Sequence, residues 1–540
     1  MDIERIRFAI FVLALTGGAG CSLGAEGDKA SGDARPASGG GSSNGSGGPG
    51  SSAGNASAGA AALPPEMELD QSFRAPVATG KVLWSTNPDS GRVALIDAKT
   101  LRVRMSNAGF GPTYLAAVPS KSGTDSAIVI NVGSHDATWF LASATQIDTV
   151  TVATHVGANA WSISAGGRYA IAWTDATRIE GGTPDSVNGY SELTVIDLSA
   201  SPPTSTRLSV GFRPSQVVFD AAEEHAFAVV DEGISVLDLG KNSALSRLLS
   251  VSGQDQSAHS RDVNIAPDGS FAVVRVDGST NVEIVDLTSN DRQVIGLGSN
   301  VTDLDLSPDG KTATAVLGDA VPPKVVSFDV PKPSLDVAEF DSALVTGELV
   351  RSVTLAPDGK LALLYANAVP SNHLTLLDTG PGPHHFGYRT VDLQGAVRSV
   401  YVSPDSAAAI TFQTPPLGSQ KKGLFGIVPT QAVRAARIVG TDALPAEIAF
   451  SDAAEGKALV TVHDANSAVR GVYVIGLANL EQNFVPLSSE PLPGATGIVA
   501  EAKRGFVAQK HPEGRITFID LDTGTAQTLS GFEIAARVVQ

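Results

Sequence analysis

Beyond residue 80 the chain alternates apolar and polar positions in short runs, and it hardly ever spaces apolar residues three or four apart. A period of two belongs to strands rather than helices. The runs come in groups of four. An alternating run such as "VTDLDLS" (Val301–Ser307) leads through a Pro-Asp-Gly turn into a mostly apolar run, "KTATAVL" (Lys311–Leu317). A third run ends in Asp, as in "LTVIDL" (Leu193–Leu198), "VEIVDL" (Val282–Leu287) and "ITFIDL" (Ile516–Leu521), and a fourth, less apolar run such as "DRQVIGL" closes the group. In the turn Pro presets φ, Asp bonds the local backbone and Gly accepts a positive φ. The Asp of the third run recurs in most groups, so it is expected to bond backbone amides at the strand end rather than to mark a site.

The turn recurs at Ala266–Gly269, Ser307–Gly310, Ala356–Gly359 and Ser403–Ser406, with weaker copies elsewhere, at spacings of about 41 to 55 residues. Four short antiparallel strands at that period predict an all-β propeller over residues 76–540. Nine complete units begin near residues 112, 160, 214, 261, 301, 350, 397, 445 and 495. "KVLWSTN" and "GRVALIDAKT" (Lys81–Thr100) read as second and third strands lacking a first, and "FEIAARVV" (Phe532–Val539) as a first strand with nothing after it. Joined, they make a tenth blade, closing the ring by pairing of N- and C-terminal strands and removing open edges. About ten units, within a range of eight to ten, exceed the four to eight blades usual for propellers. One large ring and two smaller propellers both remain open.

The segment before residue 76 changes the picture from fold to location. Phe8–Leu15, "FAIFVLAL", is apolar but well short of the roughly 20 residues of a membrane-spanning helix, and small residues follow it. Residues 1–20 therefore read as a signal peptide. Cys21, the single cysteine among 540 residues, allows no intramolecular disulfide and no cysteine-based metal site. Its place after "GAG" resembles the cleavage box of bacterial lipoproteins, which implies lipidation at Cys21. By the same resemblance, Ser22 beside it rather than Asp implies sorting to the outer membrane, on its periplasmic or surface side; an ordinary secreted protein is the alternative. Residues 21–75 are a Gly/Ser/Ala-rich run that cannot build a core. As a flexible tether of about 50 residues it would span roughly 40 Å.

The repeats resemble the Pro-Asp-Gly propeller repeats of bacterial envelope proteins, including the Tol-system periplasmic propeller and the YVTN-type surface propellers, over about 460 residues. That resemblance implies fold and not chemistry, because propellers host many functions. The formal net charge of −18 and the lack of a basic stripe argue against nucleic-acid binding.

Alternating strand direction sends the second-to-third and blade-to-blade loops to one face and the short Pro-Asp-Gly turns to the other. Length variation concentrates on the first: 176–191, 252–260, 318–323, 367–373, and 414–423 with Lys421 and Lys422. A protein or small-molecule partner is expected there. Two His-Asp pairs, His135-Asp136 and His463-Asp464, also follow second strands and are the candidates for a metal or acid/base site, on condition that they meet across a channel. Asp175, Asp231 and Asp277 could form an acidic collar on the same face, or be plain solvated carboxylates. His384-His385 reads as an exposed loop pair. No nucleophile elbow, phosphate loop, zinc signature or calcium loop is present, so no catalytic residue, cofactor or resident metal is assigned. The reading is a cell-envelope lipoprotein whose propeller binds a protein or ligand. The alternatives are a propeller enzyme, lactonase-like or a metal-dependent hydrolase with its site at the channel mouth, and a structural surface component.

Overall fold

The computed structural model describes residues 74–532, except 121–122, 179–188, 241–242, 252–260, 334–339, 346, 380–386, 432–433 and 465–468. The signal peptide, Cys21, nearly all of the tether, His384-His385 and residues 533–540 lie outside the described residues.

Ten four-stranded antiparallel sheets follow one another in a ring, each with its strands in chain order. Blade 1 consists of β1 (Val77–Thr79), β2 (Val82–Asn87), β3 (Arg92–Asp97) and β4 (Val103–Asn107). Blades 2 to 10 span residues 112–153, 160–209, 216–250, 261–296, 303–344, 352–392, 396–441, 444–486 and 491–530. The nine complete units of the sequence are these nine blades. Apart from Phe532, no described residue is α-helical.

The second and third strands of each blade are buried on both faces, as in Ile128–Ile130, Tyr169–Trp173 and Leu424–Val428. Each blade is packed on either side by its neighbours, so these strands read as apolar runs. The fourth strands meet neighbours on little of their surface and stay polar, as in Thr204–Ser209. The core lies in the seams between blades. Trp84 packs on Phe140 between blades 1 and 2, with ring centroids 5.8 Å apart, and Phe271, Phe328 and Phe340 fill the seam of blades 5 and 6. The seam of blades 10 and 1 is equally filled, by Leu83, Ile96, Phe506, Phe518 and Phe532, and this closes one ring rather than two.

In blade 1 the place beside β2 is taken by a strand that the sequence did not reveal. The first strand of blade 1 is β1, paired Val77↔Trp84, Ala78↔Leu83 and Thr79↔Val82; Phe532–Val539, read from the sequence as that strand, lies outside the described residues beyond Phe532. Three residues carry too short an alternation to register as a strand, and the turn is made by Gly80 and Lys81 instead of a Pro-Asp-Gly phrase. Phe532 serves the closure as a buried side chain in the seam.

Candidate functional site

The two faces of the ring differ in chemistry. On the turn face the acidic residues are used by the backbone. Asp268 accepts from the Ser270 amide at 3.0 Å and hydroxyl at 2.6 Å, which holds its carboxyl below the usual range. The Asp ending the third strand behaves as expected: Asp286 takes the amides of Ser289 and Thr288, and Asp520 those of Thr523 and Asp522, and both are likewise depressed. Gly310, with φ +70°, lies so close to Pro267 of the preceding turn that a Cβ would stand 2.7 Å from Pro267 Cδ. Successive turns are thus stacked against each other.

The loop face carries apolar tips. Phe110, Val132, Val156, Phe212, Val321, Val369, Leu417, Leu444 and Val469 are exposed there, in blade-to-blade or second-to-third loops or at their edges. The other exposed large hydrophobics among the described residues lie on fourth strands; none lies in a turn of the opposite face. The three carboxylates of the suggested collar are each paired with arginine: Asp175 with Arg178 at 3.0 Å, Asp231 with Arg213 at 2.7 Å and Asp277 with Arg275 at 2.8 Å. Lys421 and Lys422 are paired too, with Asp442 and Asp464. This face therefore offers apolar contact with its charges already matched.

Two clefts open on it, one at His463-Asp464 and one at His135. A cleft of about 460 Å³ between blades 8 and 9 is lined by Arg398, Tyr401, Phe412, Pro445, His463 and Asp464. Here Asp464 is held by Lys422 at 3.0 Å, and Nδ1 of His463 is buried without a hydrogen-bond partner. A second cleft, of about 400 Å³, lies between blades 2 and 3 and takes in His135, Asn131, Thr154, His155, Asn159, Arg74 and Arg178. Asp136 is turned to its own loop, where it accepts from Asn131 Nδ2 at 2.6 Å. His135, at φ +55°, makes the tip of that loop. The structure thus places His135 and His463 in separate clefts and does not bring the two pairs together. Among the described residues no three His, Cys, Asp or Glu side chains gather to hold a metal.

His155, which nothing in the sequence singled out, is fully buried beside the second cleft. Its backbone amide and Nδ1 both meet Thr194 Oγ1, and Nε2 meets Thr174 Oγ1 at 3.1 Å. The Thr174 hydroxyl donates to Gly157 O, so it accepts from Nε2–H, and Nδ1 accepts from the Thr194 hydroxyl. Burial, with the Arg207 charge, lowers the imidazole to about 4 and keeps it neutral. Gly189, at φ +105°, passes so near that a Cβ would stand 2.3 Å from Val156 O.

The first strands approach one another around the ring and form its inner wall, where their edges present unpaired amides and carbonyls. Side chains of one blade satisfy the next. Ser162 donates to Val217 O, Asn264 to Leu304 O and Thr302 to Arg351 O, while Asp303 accepts from the Val353 amide at 2.8 Å and Asp305 from the Leu355 amide at 3.0 Å. Burial pushes Asp303 up to about 6; burial and the neighbouring Asp303 charge push Asp305 up to about 7. The pattern "DLDL" (Asp303–Leu306) puts both carboxylates on one face of a strand, a signal legible in the sequence once the strand is recognised as an inner one.

No protein-family model matches this chain, and no curated protein matches it either. Solved structures do. The dihydro-heme d1 dehydrogenase NirN, in complex with DHE, aligns over 79% of this chain and 76% of its own, at 11% identity and a TM-score of 0.43. A eukaryotic initiation factor aligns over 70% of this chain and 91% of its own, at 12% identity and 0.42. Hydrazine synthase of Kuenenia stuttgartiensis aligns over 68% and 99%, at 16% identity and 0.33. At these scores the likeness transfers no chemistry.

Proposed function

We propose that this chain is an exported lipoprotein of the bacterial outer membrane, anchored through Cys21, whose propeller is a binding scaffold that docks a protein partner on its loop face. The observation that carries the docking reading is the one-sided distribution of apolar tips. Nine exposed large hydrophobics sit on the face whose charges are matched, and none on the turn face among the described residues. Their gathering on one face, rather than scatter over the whole surface, supports a reading of that face as an interaction surface. The anchor reading is supported by the short apolar run, the cysteine after "GAG" and the Gly/Ser/Ala segment. The enzyme alternative expects His, Asp and Glu to converge at the channel mouth, and His135 and His463 line different clefts.

Two experiments test this in cells. Cys21→Ser is expected to move the protein from the membrane to the soluble envelope fraction; retention in the membrane removes the anchor. A photo-crosslinking residue at Leu417 or Phe110 is expected to trap a discrete adduct, and one at Asp309 on the turn face to trap none. Equal labelling from both faces contradicts the docking reading.

A further inference from the structure

The cleft between blades 8 and 9 is built around two irregularities of the inner strands. The first strand of blade 8 pairs Val397↔Gln413 and then Ser399↔Phe412, so Arg398 is an extra residue with no place in the ladder. The first strand of blade 9 does the same: Pro445↔Val462 is followed by Glu447↔Thr461, and Ala446 is the extra residue. A bulge re-aims the side chain it carries. Both bulged residues line this cleft, and both are exposed. Leu444 is exposed as well, while Tyr401, His463 and Asp464 are half-buried, so the lining is open to a side chain from outside.

Arg398 stands apart from the charge matching of the loop face. Its guanidinium donates from Nη2 to Pro445 O at 2.8 Å, which holds it across the joint of the two blades. Among the described residues it meets no carboxylate, unlike Arg178, Arg213, Lys421 and Lys422. The carboxylate of the lining, Asp464, is taken by Lys422 at 3.0 Å. Arg398, Asp464 and Lys422 together therefore leave one positive charge, in a chain of net charge −18. His463 keeps Nδ1 buried without a partner. A bare acceptor inside a fold is tolerated better than a bare N–H, so the proton belongs on Nε2, and the opposite ring edge offers a donor. Tyr401, edge-on to Phe412 with centroids 5.1 Å apart, adds an aromatic wall.

We propose that the docked protein partner anchors in this cleft by inserting an aspartate or glutamate side chain. Its carboxylate pairs with the Arg398 guanidinium, and an adjoining apolar residue covers Leu444. The volume of about 460 Å³ is ample for such a side chain. This inference rests on the docking reading and deepens it. Leu444 is both an apolar tip and part of the cleft wall, so whatever covers the tips also closes the cleft, and the group inside belongs to it.

The test runs in cells on the full chain, with the photo-crosslinking residue at Leu417 reporting occupancy. Arg398→Gln keeps a donor for Pro445 O and removes the charge. Asp464→Asn removes a carboxylate and frees the Lys422 charge. At low, equal expression, adduct yield is expected to fall about tenfold in Arg398→Gln and to rise about threefold in Asp464→Asn. An apolar anchor leaves both yields unchanged and a cationic anchor reverses both signs; either result overturns the proposal while the docking reading stands. No adduct from the wild-type background removes the docking reading, and the anchor falls with it. Should Arg398→Gln lower the thermal midpoint, Asp464→Asn decides alone: a rise in yield supports the anchor, and an unchanged or lower yield overturns it.

Discussion

At pH 8 the Asp305 carboxylate carries its charge between blades 6 and 7, 3.0 Å from the Leu355 amide, with Asp303 on the same side of the strand. Its pKa stands near 7 against 3.8 for the unconstrained group. The sign follows. Below pH 3.8 both folded and unfolded chains hold the proton, and no penalty exists. Between 3.8 and about 7 the unfolded chain ionises first, so stability falls as pH rises, and the full penalty is present above 7. Each decade is worth about 1.4 kcal/mol, so roughly 4 kcal/mol is at stake at pH 8 and about 1.5 at pH 5. Asp305→Asn keeps an oxygen for the Leu355 amide and removes the charge. The stability gap between variant and wild type should therefore widen by about 3 kcal/mol from pH 5 to pH 8. Both aspartates keep some solvent contact, which makes that figure a ceiling. Unfolding entropy near 2 cal/mol/K per residue makes the change about 3 °C in a ring of this size. Differential scanning calorimetry at four pH values reads it directly. A gap that stays constant, or narrows toward pH 8, would refute the argument that this carboxylate is held against its ionisation.

Other outcomes follow from the same geometry. His155, lowered to about 4 by burial, stabilises the fold above pH 6.5 and loses that contribution as pH falls toward 4; its imidazole nitrogens should still show the neutral tautomer by NMR at pH 5, and a protonated ring there contradicts the Thr194–Thr174 arrangement. Gly310→Ala should cost at least about 2 kcal/mol, because positive φ and the Pro267 contact act together, whereas Gly278→Ala, with φ +74° and nothing near its Cβ, should cost about 1. Denaturant melts that rank them equally would deny the stacking of successive turns. Trp84→Ala, fully buried against Phe140, should cost about 3–5 kcal/mol by the same melts; a loss under 1 would mean that the seam of blades 1 and 2 is not packed.

The repeat was readable because every blade restates one local grammar, and turn chemistry at Asp268, Asp309 and Asp358 marks the register without reference to distant residues. The Asp of "VDL" at Asp286 was legible for the same reason. β1 was not: its identity as a strand comes from pairing with β2 and packing in the closing seam, and its three residues carry no period. The cleft was hidden more deeply. Asn131 ends the second strand of blade 2 and Thr154 lies in the loop that leaves that blade, and they come together only where blade 2 meets blade 3. His135 was found by its type and position, but the partners that define its surroundings were not.

The way blade 1 is finished also decides how the ring answers to tension. The chain enters through residue 74, and the element it enters is the shortest strand, held to β2 by three residue pairs. A pull on the segment before Arg74 meets the Arg74 N–H bond to Thr86 O at 3.3 Å and those three pairs. The same stretch supplies Ala75 and Ala78 to the seam with blade 10, so its departure loosens the one junction that makes the circle continuous. The mechanical weak point of the ring thus lies where the chain enters it, and a load applied there acts first on the closing seam of blades 10 and 1.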